Sequence, residues 1–323
     1  RLCGTMRTTP LPSAVQLPNT DATDQRASPV IASTDGCPMS RLSAVIDCAG
    51  RALDLTQARI MGVLNVTPDS FSDGGAWAGQ DAAVRWAVEM ARAGADLIDV
   101  GGESTRPGSA PVSVCEEIHR TVPVIERLVS ELDCPISIDT SKPEVMRAAV
   151  EAGAGMINDV CALRQPGALM MAAELAVPVC LMHMLGEPGT MQDDPSYEHV
   201  VDEVESFLLE RVGACVAGGI PREKILIDPG FGFGKRYHHN LELMRALPRL
   251  AAHGHPLLVG VSRKSMLGEI TGKDVGHRAV ASAAAAIIAV QSGAAIVRVH
   301  DVSETADALK VLRAVWPCDS MER

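Results

Sequence analysis

Between residues 59 and 299, eight short apolar runs alternate with longer stretches of helical period. The runs span residues 59–66, 95–100, 134–138, 155–157, 177–182, 224–227, 256–261 and 294–299. Most are near-continuously hydrophobic, as parallel strands covered on both faces must be. Between them, Val84, Ala87, Val88 and Ala91 recur at helical spacing, as do Val200, Val204, Phe207 and Leu208. Thr140-Ser141-Lys142-Pro143-Glu144 combines a capping hydroxyl with an early proline and predicts a helix start. Eight β-then-α units predict an α/β fold of the (β/α)8 TIM-barrel type, a single domain over residues 39–323.

A doubly wound sheet also alternates strands and helices. The barrel makes the stricter demand, because its active site is built where strand ends meet their loops, so polar chemistry should follow every run. It does: Asn65, then Glu103-Ser104-Thr105-Arg106, Asp139, Asn158-Asp159, His183, Asp228, Ser262-Arg263-Lys264 and Arg298-Val299-His300. Polar groups at all eight ends favour closure.

Ahead of the barrel, Ala44-Val45-Ile46 and Ala52-Leu53-Asp54-Leu55 flank Gly50-Arg51 and predict a small hairpin. Residues 1–38 hold fourteen Pro, Ser or Thr and no apolar period, which reads as a disordered or extraneous segment, with Met39 a plausible start. Only 3% of the residues are aromatic, so the core must be aliphatic. A net charge of −11 argues against nucleic acid as the main partner. The longest apolar run, residues 283–290, is far too short to cross a membrane. The nine cysteines form no CxxC pair and have no zinc-ligand spacing; they read as reduced, mostly buried thiols of a cytoplasmic protein. Residues 279–290, apolar almost all round, suggest a helix buried beyond the barrel wall, either within one subunit or at a subunit interface.

Three strand-end groups, Asp139, Asn158 and Asp228, suit a heterocycle with several N–H donors and ring acceptors. Singly, each is equally a loop-ordering carboxylate or amide. Lys264, Arg298 and His300 place cationic or potentially cationic groups on the last two strand ends of an acidic chain, which points to an anion; pairing of Arg298 and His300 with Asp301 or Glu304 is the bland alternative. Two glycine-rich loops, residues 65–75 and 101–108, have the composition of mobile covers, and the Asn and Asp oxygens of the first suit Mg²⁺. Residues 229–235 (PGFGFGK) match neither a dinucleotide fingerprint nor a P-loop.

Seven segments in order, GVLNVTPDSFSDGG at 62–75, DVGGESTRPG at 99–108, SIDTSK at 137–142, INDV at 157–160, DPGFGFG at 228–234, SRKSM at 262–266 and RVHDV at 298–302, closely resemble those of the dihydropteroate synthases. These are folate-pathway enzymes of the pterin-binding barrel family, and the resemblance covers about residues 39–316. It implies joining (7,8-dihydropterin-6-yl)methyl diphosphate to p-aminobenzoate, with release of pyrophosphate. By motif, Asp139, Asn158, Asp228 and Lys264 would hold the pterin, between Met182 and Phe233 as apolar walls. Arg298 and His300, with Asn65 through Mg²⁺, would take the diphosphate. Thr105, Arg106 and Pro107, with Phe71 and Ser265, would shape the p-aminobenzoate site.

The implied mechanism is dissociative: diphosphate departs first, and Asp139, Lys264, Arg298 and His300 carry the catalysis. His183 reads better as a loop-ordering group than as a reactant. The resemblance also implies a cytoplasmic homodimer and a sulfonamide target. A pterin-dependent methyltransferase, or a non-catalytic pterin-binding subunit, are the rival readings; both should lack part of the loop and anion set, which is complete here.

Overall fold

The computed structural model describes residues 45–67, 75–104, 111–187 and 189–317, with side chains from residue 79 in the first helix. The expectation for residues 1–38 lies outside them. A hairpin of β1 (Val45–Cys48) and β2 (Arg51–Asp54) precedes the barrel, its first strand running two residues further than the apolar pattern suggested.

Eight parallel strands then close on themselves: β3 (Arg59–Asn65), β4 (Leu97–Gly101), β5 (Ile136–Asp139), β6 (Met156–Asp159), β7 (Val179–Met182), β8 (Ile225–Asp228), β9 (Leu257–Val259) and β10 (Ala294–Val299), with β10 paired to β3. Closure excludes the doubly wound sheet. The connecting helices are α1 (Gly75–Ala93), α2 (Val114–Glu131), α3 (Pro143–Glu151), α4 (Ala168–Leu175), α5 (Val200–Ala217), α6 (Tyr237–Ala251), a short α7 (Ser265–Thr271), α8 (Ala279–Gln291) and α9 (Val302–Val315). The start of α3 differs in detail from the expected hydroxyl cap. Lys142 is its N-cap, and Thr140 Oγ1 instead accepts from the Lys142 N–H, at 3.3 Å.

Strand alternation divides the interior into layers. Outward residues such as Ile98, Ile138, Ile157, Leu181, Ile227, Val259 and Val297 pack against the helices. Inward residues Met61, Leu97, Met156, Cys180, Leu226, Leu258 and Ile296 form an apolar floor, and Ile46, Cys48, Leu53 and Leu55 of the hairpin cover it from below. Two residues further along the strands, the inward layer turns polar: Asp99, Ser137, Asn158, Asp228 and Arg298, with Val63 and Met182 between them. Aliphatic floor and wall are what a chain poor in aromatics can build, at roughly 1.5–3 kcal/mol for each fully buried Leu, Ile or Met.

The hairpin sits so close that a Cβ on Gly155 would lie 2.4 Å from the Cys48 carbonyl oxygen. Gly155→Ala is therefore expected to destabilise the protein by about 1–3 kcal/mol through overpacking, read as a lowered thermal midpoint. An unchanged midpoint would mean that the hairpin gives way freely.

Among the described cysteines none is disulfide-bonded, and Cys48, Cys161, Cys180 and Cys215 are buried. No helix of the described residues is long and apolar enough to span a membrane. Helix α8 buries Ser282, Ala285, Ala286 and Ala289 but exposes Val280 and Ile288, so it is two-faced rather than enclosed.

Candidate active site

The polar layer opens into a cavity of about 580 Å³ at the C-terminal mouth of the barrel. Asn65, Asp139, Asn158, Met182, Asp228, Phe233, Lys264, Ser265, Arg298 and His300 all line it, which brings together ten of the residues singled out from the sequence. Phe71, Thr105, Arg106 and Pro107 lie outside the described residues.

At the centre stands Arg298 on β10, a strand whose other inward positions are apolar. Its Nε donates to Asp99 Oδ2 and one Nη to Asp139 Oδ2, each at 2.7 Å. Asn158 Nδ2 donates to the same Asp99 oxygen at 3.0 Å. Burial opposes the guanidinium charge, but Asp99 and Asp139 outweigh it and hold Arg298 firmly protonated. Asp139 shows the reverse balance. Burial pushes its carboxyl up to about 7, helped by Asp99 and Glu117 and opposed by Arg298. Burial also raises Asp228 to about 6, although its Oδ1 accepts the Gly230 N–H at 2.7 Å. The second carboxylate oxygens of Asp99 and Asp139 are buried without a hydrogen-bond partner among the described residues. Such oxygens are costly unless a ligand's N–H groups satisfy them.

On the opposite side Lys264 follows β9, its ammonium 4.1 Å from the centroid of the Phe233 ring. Burial, then the neighbouring Arg298, lowers it to about 8. His300 is neutral rather than cationic, because burial and Arg298 push it down to about 3; Ser262 Oγ lies 3.1 Å from both its backbone nitrogen and Nδ1. The expected alternative of pairing with Asp301 is not realised. Asp301 is instead held by Arg263, with Nε at 3.0 Å and Nη2 closer still. Arg263 itself stands at a left-handed φ of 59°, and Arg278 braces the turn through the carbonyls of Arg263 and Lys264.

Asp159 takes no part in the cavity lining: its two oxygens accept the N–H groups of Cys161 and Leu163, each at 2.7 Å, ordering the loop after β6. His183 packs edge-on to Phe207, and its Nδ1 lies 2.9 Å from the Nζ of buried Lys235. Burial and Lys235 lower it to about 2, which suits the loop-ordering reading.

Sequence reasoning gave Asp99 and Lys235 no role. For Asp99 the signal was available: an acid two places before the end of an otherwise apolar strand has to face inward.

A parallel barrel with acceptors for a nitrogen-rich ring beside a cationic rim defines a class, and the family described as "Pterin binding enzyme" matches residues 61–300. The dihydropteroate synthase of Escherichia coli (strain K12) is 51% identical over 274 residues, which is 85% of this chain and 97% of that one. Among solved structures, the Xanthomonas albilineans dihydropteroate synthase with 4-aminobenzoic acid shares 55% identity at a TM-score of 0.81, covering 85% of this chain and 98% of that one. The same organism's enzyme in complex with 7,8-dihydropteroate shares 50% at a TM-score of 0.76, covering 85% and 99%. The chain belongs to the dihydropteroate synthase family.

Proposed function

We propose that this chain condenses (7,8-dihydropterin-6-yl)methyl diphosphate with p-aminobenzoate, giving 7,8-dihydropteroate and pyrophosphate. The observation that carries the reading is the acceptor set of Asp139, Asn158 and Asp228 facing Arg298 and Lys264 across one cavity, in a chain similar throughout its barrel to synthases of this reaction. The carboxylates and the Asn158 amide accept from and donate to the ring edge, while Met182 and Phe233 enclose its faces. Arg298, Lys264 and His300 receive the charge that develops on the departing diphosphate. With Ser262 Oγ donating its proton to Nδ1, His300 carries its own proton on Nε2 and serves as a neutral donor. Asp139 faces the cationic ring that is left behind. The arylamine then attacks the methylene carbon, whose bond to the diphosphate oxygen has broken, and loses a proton. No side chain acts as a covalent nucleophile.

Asn65 offers one hard oxygen donor at the end of β3, and no group of three His, Cys, Asp or Glu among the described residues is built to hold a metal unaided. That donor set fits Mg²⁺ held jointly by Asn65, the diphosphate oxygens and water. Bound there, Mg²⁺ would neutralise leaving-group charge. Thr105, Arg106 and Pro107, with Phe71 and Ser265, complete the arylamine site in this reading, and sulfonamides that mimic the arylamine would compete there. We further propose a cytoplasmic homodimer, with the exposed Val280 and Ile288 of α8 and Val311, Val315 and Trp316 at the end of α9 as its apolar contact.

The direct test is a turnover assay with both substrates and Mg²⁺ that follows dihydropteroate and pyrophosphate together. Equal, metal-dependent release of the two supports the reading; pterin binding without either product overturns it.

The pH dependence follows from the buried carboxyls. In the unliganded enzyme Asp139 and Asp228 take up protons below about 7 and about 6. kcat/KM for the pterin substrate should therefore fall with a slope of one below pH 7, steepening towards two below pH 6. The folded state binds these protons more tightly than the unfolded chain, so these two groups favour folding as pH falls. Loss of activity between pH 7 and 5 should consequently precede any loss of structure by circular dichroism. A flat profile across that range would remove both residues from ring binding.

A further inference from the structure

We propose that Lys235 is a positioning residue for the pterin pocket: its buried side-chain nitrogen gathers the loop between β8 and α6 against β7 and so fixes Phe233 and Asp228 for the ring. The proposal rests on the pterin reading above. Lys235 is only 3% exposed and does not line the cavity, so any influence on the reaction passes through other residues.

Its partners show which residues those are. Nζ donates to Gly230 O at 2.9 Å, Phe233 O at 3.0 Å and His183 O at 3.3 Å, and lies 2.9 Å from His183 Nδ1. A lysine is rarely buried, and here the compensation comes from carbonyls of the loop itself and of the residue that follows β7.

The loop needs such a centre. Gly230, Gly232 and Gly234 all have positive φ, so residues 229–234 carry little intrinsic stiffness. The loop nevertheless lies flat on the end of β7, where a Cβ on Gly230 would come within 1.9 Å of the His183 carbonyl oxygen. Outer ties hold its rim: Asn240 Oδ1 accepts the Gly232 N–H at 2.8 Å, Tyr197 donates its hydroxyl to Gly234 O at 2.8 Å, and Gln192 donates to Gly232 O. Lys235 alone among these reaches both Gly230, whose N–H orients Asp228, and Phe233, whose ring lies under Lys264. One buried nitrogen thus couples a ring acceptor to a ring wall.

The test compares Lys235→Met and Lys235→Gln with the wild-type enzyme in steady-state turnover, with calorimetric binding of the dihydropterin diphosphate alone. For Lys235→Met, KM for the pterin substrate and its Kd should rise ten- to a hundredfold together, while KM for p-aminobenzoate stays within twofold and kcat at saturation within threefold. Lys235→Gln retains an N–H donor and should recover part of the loss. A merely structural lysine would lower the melting temperature and the active fraction, and hence kcat, without moving the pterin KM. Wild-type turnover with an unchanged variant KM overturns the proposal alone. Failure of both variants to fold would make Lys235 a core stabiliser and overturn it too. Absence of wild-type turnover removes the reading on which it stands.

Discussion

Asp139→Asn is expected to lower kcat by about 10²–10³, with dihydropteroate and pyrophosphate release falling in parallel. The substitution keeps the shape of the side chain and an oxygen that can accept from Arg298. It removes the negative charge from the polar layer of the barrel and hence the counter-charge to a cationic pterin. The loss should appear in kcat as well as in kcat/KM for the pterin, because the interaction strengthens as the diphosphate departs. KM for p-aminobenzoate should change little. Turnover within threefold of the wild type would show that Asp139 only binds ring N–H groups and does not face developing charge.

Asp99→Ala should produce the largest loss of stability, about 3–5 kcal/mol, measurable as a lowered denaturation midpoint in urea. Asp99 is fully buried and receives both Arg298 Nε and Asn158 Nδ2. Removing it leaves a partly buried guanidinium with Asp139 as its remaining carboxylate partner and strips the Asn158 amide of its acceptor. Asp99→Asn should cost less, since the amide oxygen still accepts. Because Arg298 and Asn158 both line the cavity, the surviving folded enzyme should also bind the pterin more weakly. A variant as stable as the wild type would show that Arg298 finds an alternative arrangement.

Much of this molecule is legible in its sequence. The eight apolar runs anticipate the eight barrel strands to within two residues at most ends, because outward and inward positions are both buried and the whole strand reads as hydrophobic. Strand-end position then identifies Asn65, Asp139, Asn158, Asp228, Lys264, Arg298 and His300 as neighbours in space although they are spread over more than two hundred residues. What stayed hidden was pairing. Nothing in local pattern tells whether Asp301 will meet His300 or Arg263, since that depends on the left-handed turn at Arg263, a conformation seldom adopted by arginine. Nor does a run of glycines ending in lysine reveal that the lysine turns inward to hold the glycines' own carbonyls. The acid of β4 went unassigned for a different reason. It lies two residues before the end of its own strand, level with Asn158, Asp228 and Arg298, where the last residues of that strand are glycine and valine.

The hairpin beneath the barrel has a consequence for biosynthesis. It is the first described part of the chain to leave the ribosome, yet Ile46, Cys48, Leu53 and Leu55 share a cluster with Leu226, Leu258 and Ile296, which are made about two hundred residues later. An apolar hairpin must therefore wait, without its permanent partners, until the last strand has emerged. Contacts of such long sequence separation slow folding and prolong the exposure of apolar surface. A chain halted before β10 would have an open wall and an incomplete floor at once, so chaperone dependence should fall mainly on nearly finished chains rather than on early ones.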